Sequence, residues 1–577
     1  MNLFRHISTR RARVAASHEI DPEDVFLDST NLSDLDTNQF QGQLEKPLHV
    51  RSFYGSFIIV MMVMSVFSYR LFSMQIVEGD VYKEKADNNH LRTIPLFPLR
   101  GTISDRNGQV LAWNSVFSST STTSIASSSQ EIPKREYVKT PGFSHILGYV
   151  SYPKKDQSGV FWQQEYVGKD GVEKYYNTRL SGVKGERIIE VTARKHIESQ
   201  NVVVYPTNGE NITLAIDFNL QTALYNSIAS LAQEVGFLGG AGAVMDIHSG
   251  EILALTNYPG YDNNLITNAS SEEENKKVAE ELTSKKEKFL DRAVSGLYVP
   301  GSTVKPFFAY AALMEKVITP EQYIYSSGAL VIKNKYGGKD TVFKDWKPHG
   351  YVNMREAIAA SSDEYFYQVG GGYKDQKGVG IVKLKQYAEL FGFGTTTGID
   401  LPDENHGVIP DPEWKKKLFN EDWLVGNTYH SSIGQYGFQM TPLELLRATA
   451  SLANGGYLVT PRVILGGESN KIALNLDPKA LKVIQEGMRM AVTEDIGTAK
   501  GLRIDGIEIA AKTGTAELGI TKQQVNSWVT GYFPYKEPKY AFVVVMEKGK
   551  RSNLKGATFA ARETLLWMRD NTDYLKK

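Results

Sequence analysis

The 577-residue sequence contains no cysteine. That removes disulfides, thiolate metal sites, iron–sulfur clusters and cysteine nucleophiles together, and it leaves the compartment open, because exported proteins can do without disulfides. Charge of one sign is not in excess either. The 65 Lys and Arg balance 65 Asp and Glu, which argues against a protein held on nucleic acid by bulk electrostatics. Three catalytic signatures are missing: there is no Gly-x-Ser-x-Gly elbow, no His-Glu-x-x-His pair, and Gly337-Gly338-Lys339 is followed by Asp340 where a phosphate-binding loop needs Ser or Thr. His349 stands four residues after Asp345, too few ligands to claim a metal. Long apolar runs are scarce, with one uncharged stretch between Arg51 and Arg70 and no second of that length.

In bulk the remainder is ordinary. With 41% hydrophobic and 11% aromatic residues, wholesale disorder is excluded, and at roughly 150 residues per domain there is room for about three or four domains. Residues 1–50 begin with a basic cluster (Arg5, Arg10, Arg11, Arg13) and continue rich in Asp, Glu, Ser and Asn, the composition of a mostly disordered tail. The run over 51–70 matches the roughly 20 residues a helix needs to cross a bilayer core. Phe53, Tyr54, Phe67 and Tyr69 sit at its ends, where interfacial rings are favoured, and no small-x-small cleavage site follows. A single-pass anchor is expected. Lys46 and Arg51 on one side, and Arg70, Lys83 and Lys85 on the other, leave its orientation undecided by charge.

Residues 71–207 alternate short apolar stretches with turn signals. Asp105-Arg106-Asn107-Gly108 predicts a hairpin and Ser115–Gln130 a loop, and no cluster of chemical groups stands out, so this stretch is expected to be a scaffold or interaction module. Pro206-Thr207-Asn208-Gly209 marks the next boundary. Beyond it, a helical pattern over Leu220–Val235 precedes two strand-like runs around His248-Ser249-Gly250, and the chain closes on two more such runs and a helical pattern to Trp567. Strands at both ends with helical sequence between them predict an α+β domain with an antiparallel sheet.

Chemistry concentrates in three places. Pro300-Gly301-Ser302-Thr303-Val304-Lys305-Pro306 leads into an apolar helical run that places Ser302 and Lys305 on one face at i and i+3, a nucleophile beside a base. Ser-x-x-Lys recurs at Ser151/Lys154, Ser181/Lys184 and Ser552/Lys555, where the Pro-Gly entry and apolar helix are missing. The second place is Ser361-Ser362-Asp363 and the third Lys512-Thr513-Gly514-Thr515, where a lysine, two hydroxyls and a glycine on a strand suit docking of an extended peptide that ends in a carboxylate.

Ser-x-x-Lys, Ser-x-Asp and Lys-Thr-Gly in this order resemble the signature of penicillin-binding proteins and serine β-lactamases. The segments 99–112, 171–185, 433–445 and 453–456 are similar to class B penicillin-binding proteins, so the resemblance runs from the anchor to the C-terminus. Asp345-Trp346-Lys347 and Asp363, where division-specific relatives usually carry Asn, resemble the penicillin-binding protein 2 branch, the cross-linking enzymes of cell elongation. The resemblance implies an α+β protein with four parts: a cytoplasmic tail (1–50), a transmembrane anchor (51–70), a β-rich pedestal or dimerisation module (71–207), and a β-lactamase-like transpeptidase domain with antiparallel sheet and helices (208–577).

It also implies roles for residues. Ser302 is expected as nucleophile, Lys305 as its base, Ser361 and Asp363 as the proton path to the leaving group, and Lys512 with Thr513, Gly514 and Thr515 as the carboxylate site. The backbone N–H groups of Ser302 and Thr515 would form the oxyanion hole, and no cofactor or metal is expected. An Asp363 near Lys305 favours the charged lysine and so opposes its work as a base, which requires an offset from Lys512 or from substrate excluding water. The implied partners are peptidoglycan stem peptides, a SEDS-family (RodA-type) glycan polymerase, elongation scaffold proteins and the inner membrane, with the catalytic part outside the cytoplasm. A membrane-anchored D,D-carboxypeptidase or serine β-lactamase is the alternative, and a non-catalytic sensor or scaffold a further one.

Overall fold

The computed structural model describes residues 50–115, 132–157, 161–191, 197–334 and 337–575. The expected tail, apart from Val50, and the expected loop beyond Ser115 lie outside the described residues. Two units are resolved by contact, Met1–His90 and Leu91–Lys577.

In the first unit the apolar run forms a helix over Val50–Phe72, and Phe53–Val77 is the one span among the described residues long and apolar enough to cross a membrane. Its large side chains are exposed, an arrangement that is costly in water and matched to lipid. A π-turn (Ser73–Val77) and a polar helix (Gly79–His90) follow.

The second unit is organised by a five-stranded antiparallel sheet of β1 (Gly239–Asp246), β2 (Ile252–Tyr258), β3 (Ala510–Leu518), β4 (Gln524–Phe533) and β5 (Tyr540–Lys550), in the order β2-β1-β5-β4-β3. Strand alternation sorts the core into two layers. Val543 and Val545 of β5 join a cluster with Leu443, Leu445 and Leu446, while Phe542, Val544 and Met546 join Leu224, Ile228, Ala560 and Leu565 in another. Helices α1 (Phe218–Val235), α2 (Lys305–Met314), α3 (Met354–Ala360), α4 (Asp363–Gly371), α5 (Pro442–Ala453), α6 (Pro478–Thr493) and α7 (Ala557–Asn571) supply these layers. Helix α1 lies so close to β1 that a Cβ on Gly240 or Gly242 would meet Ile228 or Leu224 at 2.9–3.0 Å. Helix α5 is buried along its whole length, as its apolar composition requires.

The N-terminal part of this unit carries two small sheets, one of Leu91–Leu96, Gly185–Val191 and Ile197–Val204, the other of Ile212–Thr213, Ile103–Ser104, Val110–Ser115 and Lys134–Tyr137. The expected hairpin is present: Asp105 accepts from the N–H groups of Asn107 and Gln109, and Gly108 takes φ +87°. The same carboxylate accepts from Phe218 N–H at the start of α1 (3.0 Å), so the turn also fastens the pedestal to the next part. Asn264 pairs both ways with the Tyr137 backbone, at 2.9 Å each, and Tyr176 donates to Asp400. Ile212–Thr213, beyond the boundary expected near residue 207, pairs in parallel with Ile103–Ser104 of the pedestal.

Candidate active site

The edge strand β3, the short 3₁₀ turn Gly301–Val304 and the turn between α3 and α4 converge. Glycines let the first two touch. Gly301 takes φ +57°, and a Cβ there would lie 2.7 Å from the Thr515 carbonyl oxygen. One on Gly514 would lie 2.7 Å from both the Pro300 carbonyl and Thr303 Cγ2. The missing Cβ of Gly514 thus admits the serine turn of the same chain. Gly434 closes the third side, its carbonyl accepting from Gly301 N–H at 3.0 Å.

Lys305 and Pro306 open α2, with Pro306 in the first turn where its missing N–H costs nothing. Ser302 sits one 3₁₀ turn earlier, half-buried, its hydroxyl without a hydrogen-bond partner among the described residues. The expected shared helical face is thus a 3₁₀ turn running into an α-helix. Lys305 Nζ donates to Asp363 Oδ1 at 2.6 Å, to the Ser361 carbonyl at 2.7 Å and to Ser361 Oγ at 3.3 Å. From the opposite side Lys512 Nζ donates to Ser361 Oγ at 2.8 Å and to the Thr513 carbonyl at 2.9 Å. Both lysines are fully buried, and the one hydroxyl between them belongs to Ser361.

Ser361 caps α3 in the left-handed region at φ 57° and ψ 40°, a state that costs a non-glycine residue about 1 kcal/mol or more. Thr513 Oγ1 donates to Thr498 Oγ1 at 2.7 Å, and Thr515 is exposed. Because β3 is an edge strand, its alternate backbone groups are left for another chain to pair. None of the other Ser-x-x-Lys lysines bonds to its serine; Lys184 reaches Gln164 and Lys555 reaches Glu234.

The two sides of Ser361 differ electrically. Burial, and then the charge of Lys305, push the Lys512 amine well below the ordinary lysine value, with Asp363 opposing. Burial raises Asp363, Lys305 pulls it back and the Asp345 carboxylate raises it further. The Ser361 hydroxyl therefore lies between two amines, one of which, Lys512, is held well below its ordinary proton affinity.

The sequence pointed to Ser302, Lys305, Ser361, Asp363, Lys512, Thr513 and Thr515; it missed Thr498 and the role of Asp345. That carboxylate, with no side-chain exposure, accepts from Ser362 Oγ at 2.8 Å and Glu364 N–H at 2.9 Å. His349 Nε2 lies 3.5 Å away, and no group of three metal-binding side chains forms among the described residues.

A sheet flanked by helices, with Lys-Thr-Gly on its edge strand pressed against a Ser-x-x-Lys turn, defines the class of penicillin-recognising serine enzymes. The chain belongs to the penicillin-binding protein family: the penicillin-binding protein transpeptidase domain matches residues 240–565, more than half of it, and the penicillin-binding protein dimerisation domain matches residues 125–214. Among curated proteins it is similar to the peptidoglycan D,D-transpeptidase MrdA of Haemophilus influenzae, 28% identical over 90% of this chain and 91% of that one. Among solved structures it resembles penicillin-binding protein 2 of Helicobacter pylori in complex with MreC, at TM-score 0.68 and 28% identity over 83% of this chain and 99% of that one. It also resembles Pseudomonas aeruginosa penicillin-binding protein 2 in complex with WCK 5153, at TM-score 0.64 and 29% identity over 82% and 96%. The expected likeness to the penicillin-binding protein 2 branch is borne out.

Proposed function

We propose that this protein is the peptidoglycan D,D-transpeptidase of cell elongation, working through a Ser302 acyl-enzyme. The observation that carries the reading is the Ser361 hydroxyl held between Lys305 and Lys512, Lys305 following by three residues an unengaged Ser302 hydroxyl. A stem peptide pairs along β3 and brings its terminal carboxylate to Thr513, Thr515 and Lys512. That negative charge raises the proton affinity of Lys512, so a proton passes from Lys305 through Ser361 Oγ to Lys512. This supplies the offset that Asp363 requires. Lys305, now neutral, accepts the Ser302 proton as Oγ attacks the carbonyl between the last two D-alanines. The N–H groups of Ser302 and Thr515 stabilise the oxyanion, and the proton returns through Ser361 to the departing D-alanine amine. An amine from a neighbouring stem then takes the acyl group, freeing Ser302 and forming the cross-link, and β-lactams stall at the acyl stage.

The division of labour follows the expected parts: tail 1–50, anchor 51–70, pedestal 71–207 and transpeptidase domain 208–577. Because the lipid-linked substrate lies outside the cytoplasm, the tail is cytoplasmic and the chain is held in the inner membrane by the apolar helix over Phe53–Val77. The MreC complex of the Helicobacter pylori protein supports an elongation scaffold partner, and a SEDS-type polymerase would supply the glycan.

The test is intact-mass spectrometry of the full chain in detergent, mixed with penicillin and followed over hours. A stable one-equivalent adduct on Ser302, absent from Ser302→Ala, is expected. An adduct that forms and vanishes quickly would make the protein a β-lactamase, and no adduct on a folded sample would overturn the catalytic reading.

A further inference from the structure

The strained backbone of Ser361 has to be held by something, and the holding group lies outside the three motifs. Asp345 follows the short strand Thr341–Lys344, and its N–H donates to the Gly328 carbonyl at 2.8 Å. Oδ2 accepts from Ser362 Oγ at 2.8 Å, Glu364 N–H at 2.9 Å and Ser326 Oγ at 3.4 Å; Oδ1 accepts from Trp346 N–H at 2.8 Å and faces His349 Nε2 at 3.5 Å. Ser362 is the N-cap of α4, its hydroxyl accepting from Tyr365 N–H, and Glu364 lies in the first turn. The Asp345 side chain therefore grips the residue after Ser361 and the helix end that carries Asp363.

The grip is an ionic one. Burial alone would raise the Asp345 carboxyl, but the neighbouring His349, the backbone N–H donors and the charge of Lys305 bring it down to about 2. An ionised acceptor at a helix N-terminus makes stronger bonds than a neutral one.

We infer that Asp345 is a positioning residue for acylation: by pinning Ser362 and the first turn of α4 it fixes Ser361 in the left-handed state that aims its hydroxyl between Lys305 and Lys512. The inference rests on the acyl-enzyme reading above. It assigns the Asp345 segment a task in the reaction, with no direct contact to substrate.

Asp345→Asn, Asp345→Ala and Ser362→Ala are compared with the wild-type full chain in detergent, separating the acylation rate constant for penicillin from its non-covalent dissociation constant. The rate constant is expected to fall about 100-fold in Asp345→Ala and about 10-fold in Asp345→Asn and in Ser362→Ala, with the dissociation constant within about threefold. The Asp345→Asn/Ser362→Ala pair is expected to be little worse than either single change, because both cut one link. Unchanged rate constants in folded variants, or fully multiplicative losses in the pair, would overturn the inference.

Amide exchange provides a readout that needs no acylation. In Asp345→Ala, protection is expected to drop over residues 360–366 while the central sheet keeps its own. Equal protection there would refute the positioning role even if no variant, wild type included, reacted with penicillin, whereas a wild type that fails to react refutes only the acyl-enzyme reading.

Discussion

In the pedestal, Glu173 lies between Arg100 and Arg135, bonded to both Nε atoms and to Tyr137; in the site, Asp363 is bonded to Lys305 and feels Lys512 beyond it. Each cluster is one carboxylate with two basic side chains, and five of the six are fully buried, Asp363 keeping 19% side-chain exposure. Burial would raise Glu173, yet Arg135 and Arg100 outweigh it and hold the carboxyl below its usual range. In the site the balance runs the other way: Asp363 is raised and Lys512 lowered. The difference lies in the cation. A guanidinium keeps its proton and offers a rigid fork, so its cluster is static, whereas an amine can give up its proton when buried beside another charge. The same arithmetic of charge gives a rivet in one place and a proton store in the other.

Exchanging the cation should break that comparison most sharply. Lys305→Arg keeps the charge and the partner Asp363 but leaves no base that can turn neutral. Acylation by penicillin is expected to fall by about 1,000-fold or more, measured by stopped-flow or mass spectrometry, with the melting temperature lowered only by the extra volume. Retention of more than about a tenth of the wild-type rate would mean that Lys305 is not the base.

Removing the carboxylate from the rivet should show up as stability. Glu173→Gln leaves two buried guanidiniums facing an amide, at a cost of about 3–5 kcal/mol by denaturant unfolding, while the fraction that stays folded acylates at the wild-type rate. A loss below about 1 kcal/mol would show that water reaches the pair and that the cluster is not a buried one.

A third group sharpens the contrast at the junction between the two parts. His145 in the pedestal is 3% exposed, and its Nε2 lies 2.9 Å from the Lys288 carbonyl, a contact that requires the proton on Nε2. Burial lowers its pKa from 6.5 to about 4, with Asp170 opposing. The folded state then binds fewer protons than the unfolded one between those values, so stability is complete above 6.5 and is lost as pH falls toward 4. His145→Gln should remove about 2 kcal/mol of the loss seen between about pH 7 and about pH 5. Asp291, raised to about 6 mainly by burial, shifts stability in the opposite direction in both proteins and cancels in the difference, whereas Asp170, also raised, feels His145, so the difference reports the imidazole together with its coupling to Asp170. Parallel pH curves would refute a neutral buried His145.

How much of this was legible in the sequence depends on distance along the chain. Ser302 with Lys305, Ser361 with Asp363 and Lys512 with Thr515 each lie within three residues, and their order could be read as a signature. The anchor was legible because lipid demands an unbroken apolar run. The rivet was not: Arg100 and Glu173 are 73 residues apart, Arg135 and Glu173 38, and no periodicity links them. Asp345 showed only its spacing to His349 and its place in the Asp345-Trp346-Lys347 resemblance, while its grip on Ser362 depends on the ladder of Ala329–Ile332 and Thr341–Lys344 that delivers it. Gly514 was legible as a close approach, but only the fold tells which chain approaches. The pedestal boundary was blurred because Ile212–Thr213 returns to a sheet begun more than a hundred residues earlier.

The smallest expected effect is the most direct consequence of the comparison. If Lys512 is a proton store, then it is held against its own preference, and a side chain of similar shape without an amine should suit the fold better. Its folded pKa lies well below the ordinary lysine value, so between those two values the unfolded chain holds a proton that the folded chain lacks, and folding carries that cost. Lys512→Met removes the cost and keeps the stem, while Ser361 Oγ retains Lys305 as a partner. Stability is expected to rise by about 1 kcal/mol at neutral pH, with a smaller gain as pH is raised toward the ordinary lysine value, while penicillin acylation falls because the carboxylate loses its cation. Paired melting and acylation measurements check both halves. A variant that loses stability along with activity would show that the amine is charged in the resting protein, and the contrast between rivet and store would then be one of position alone.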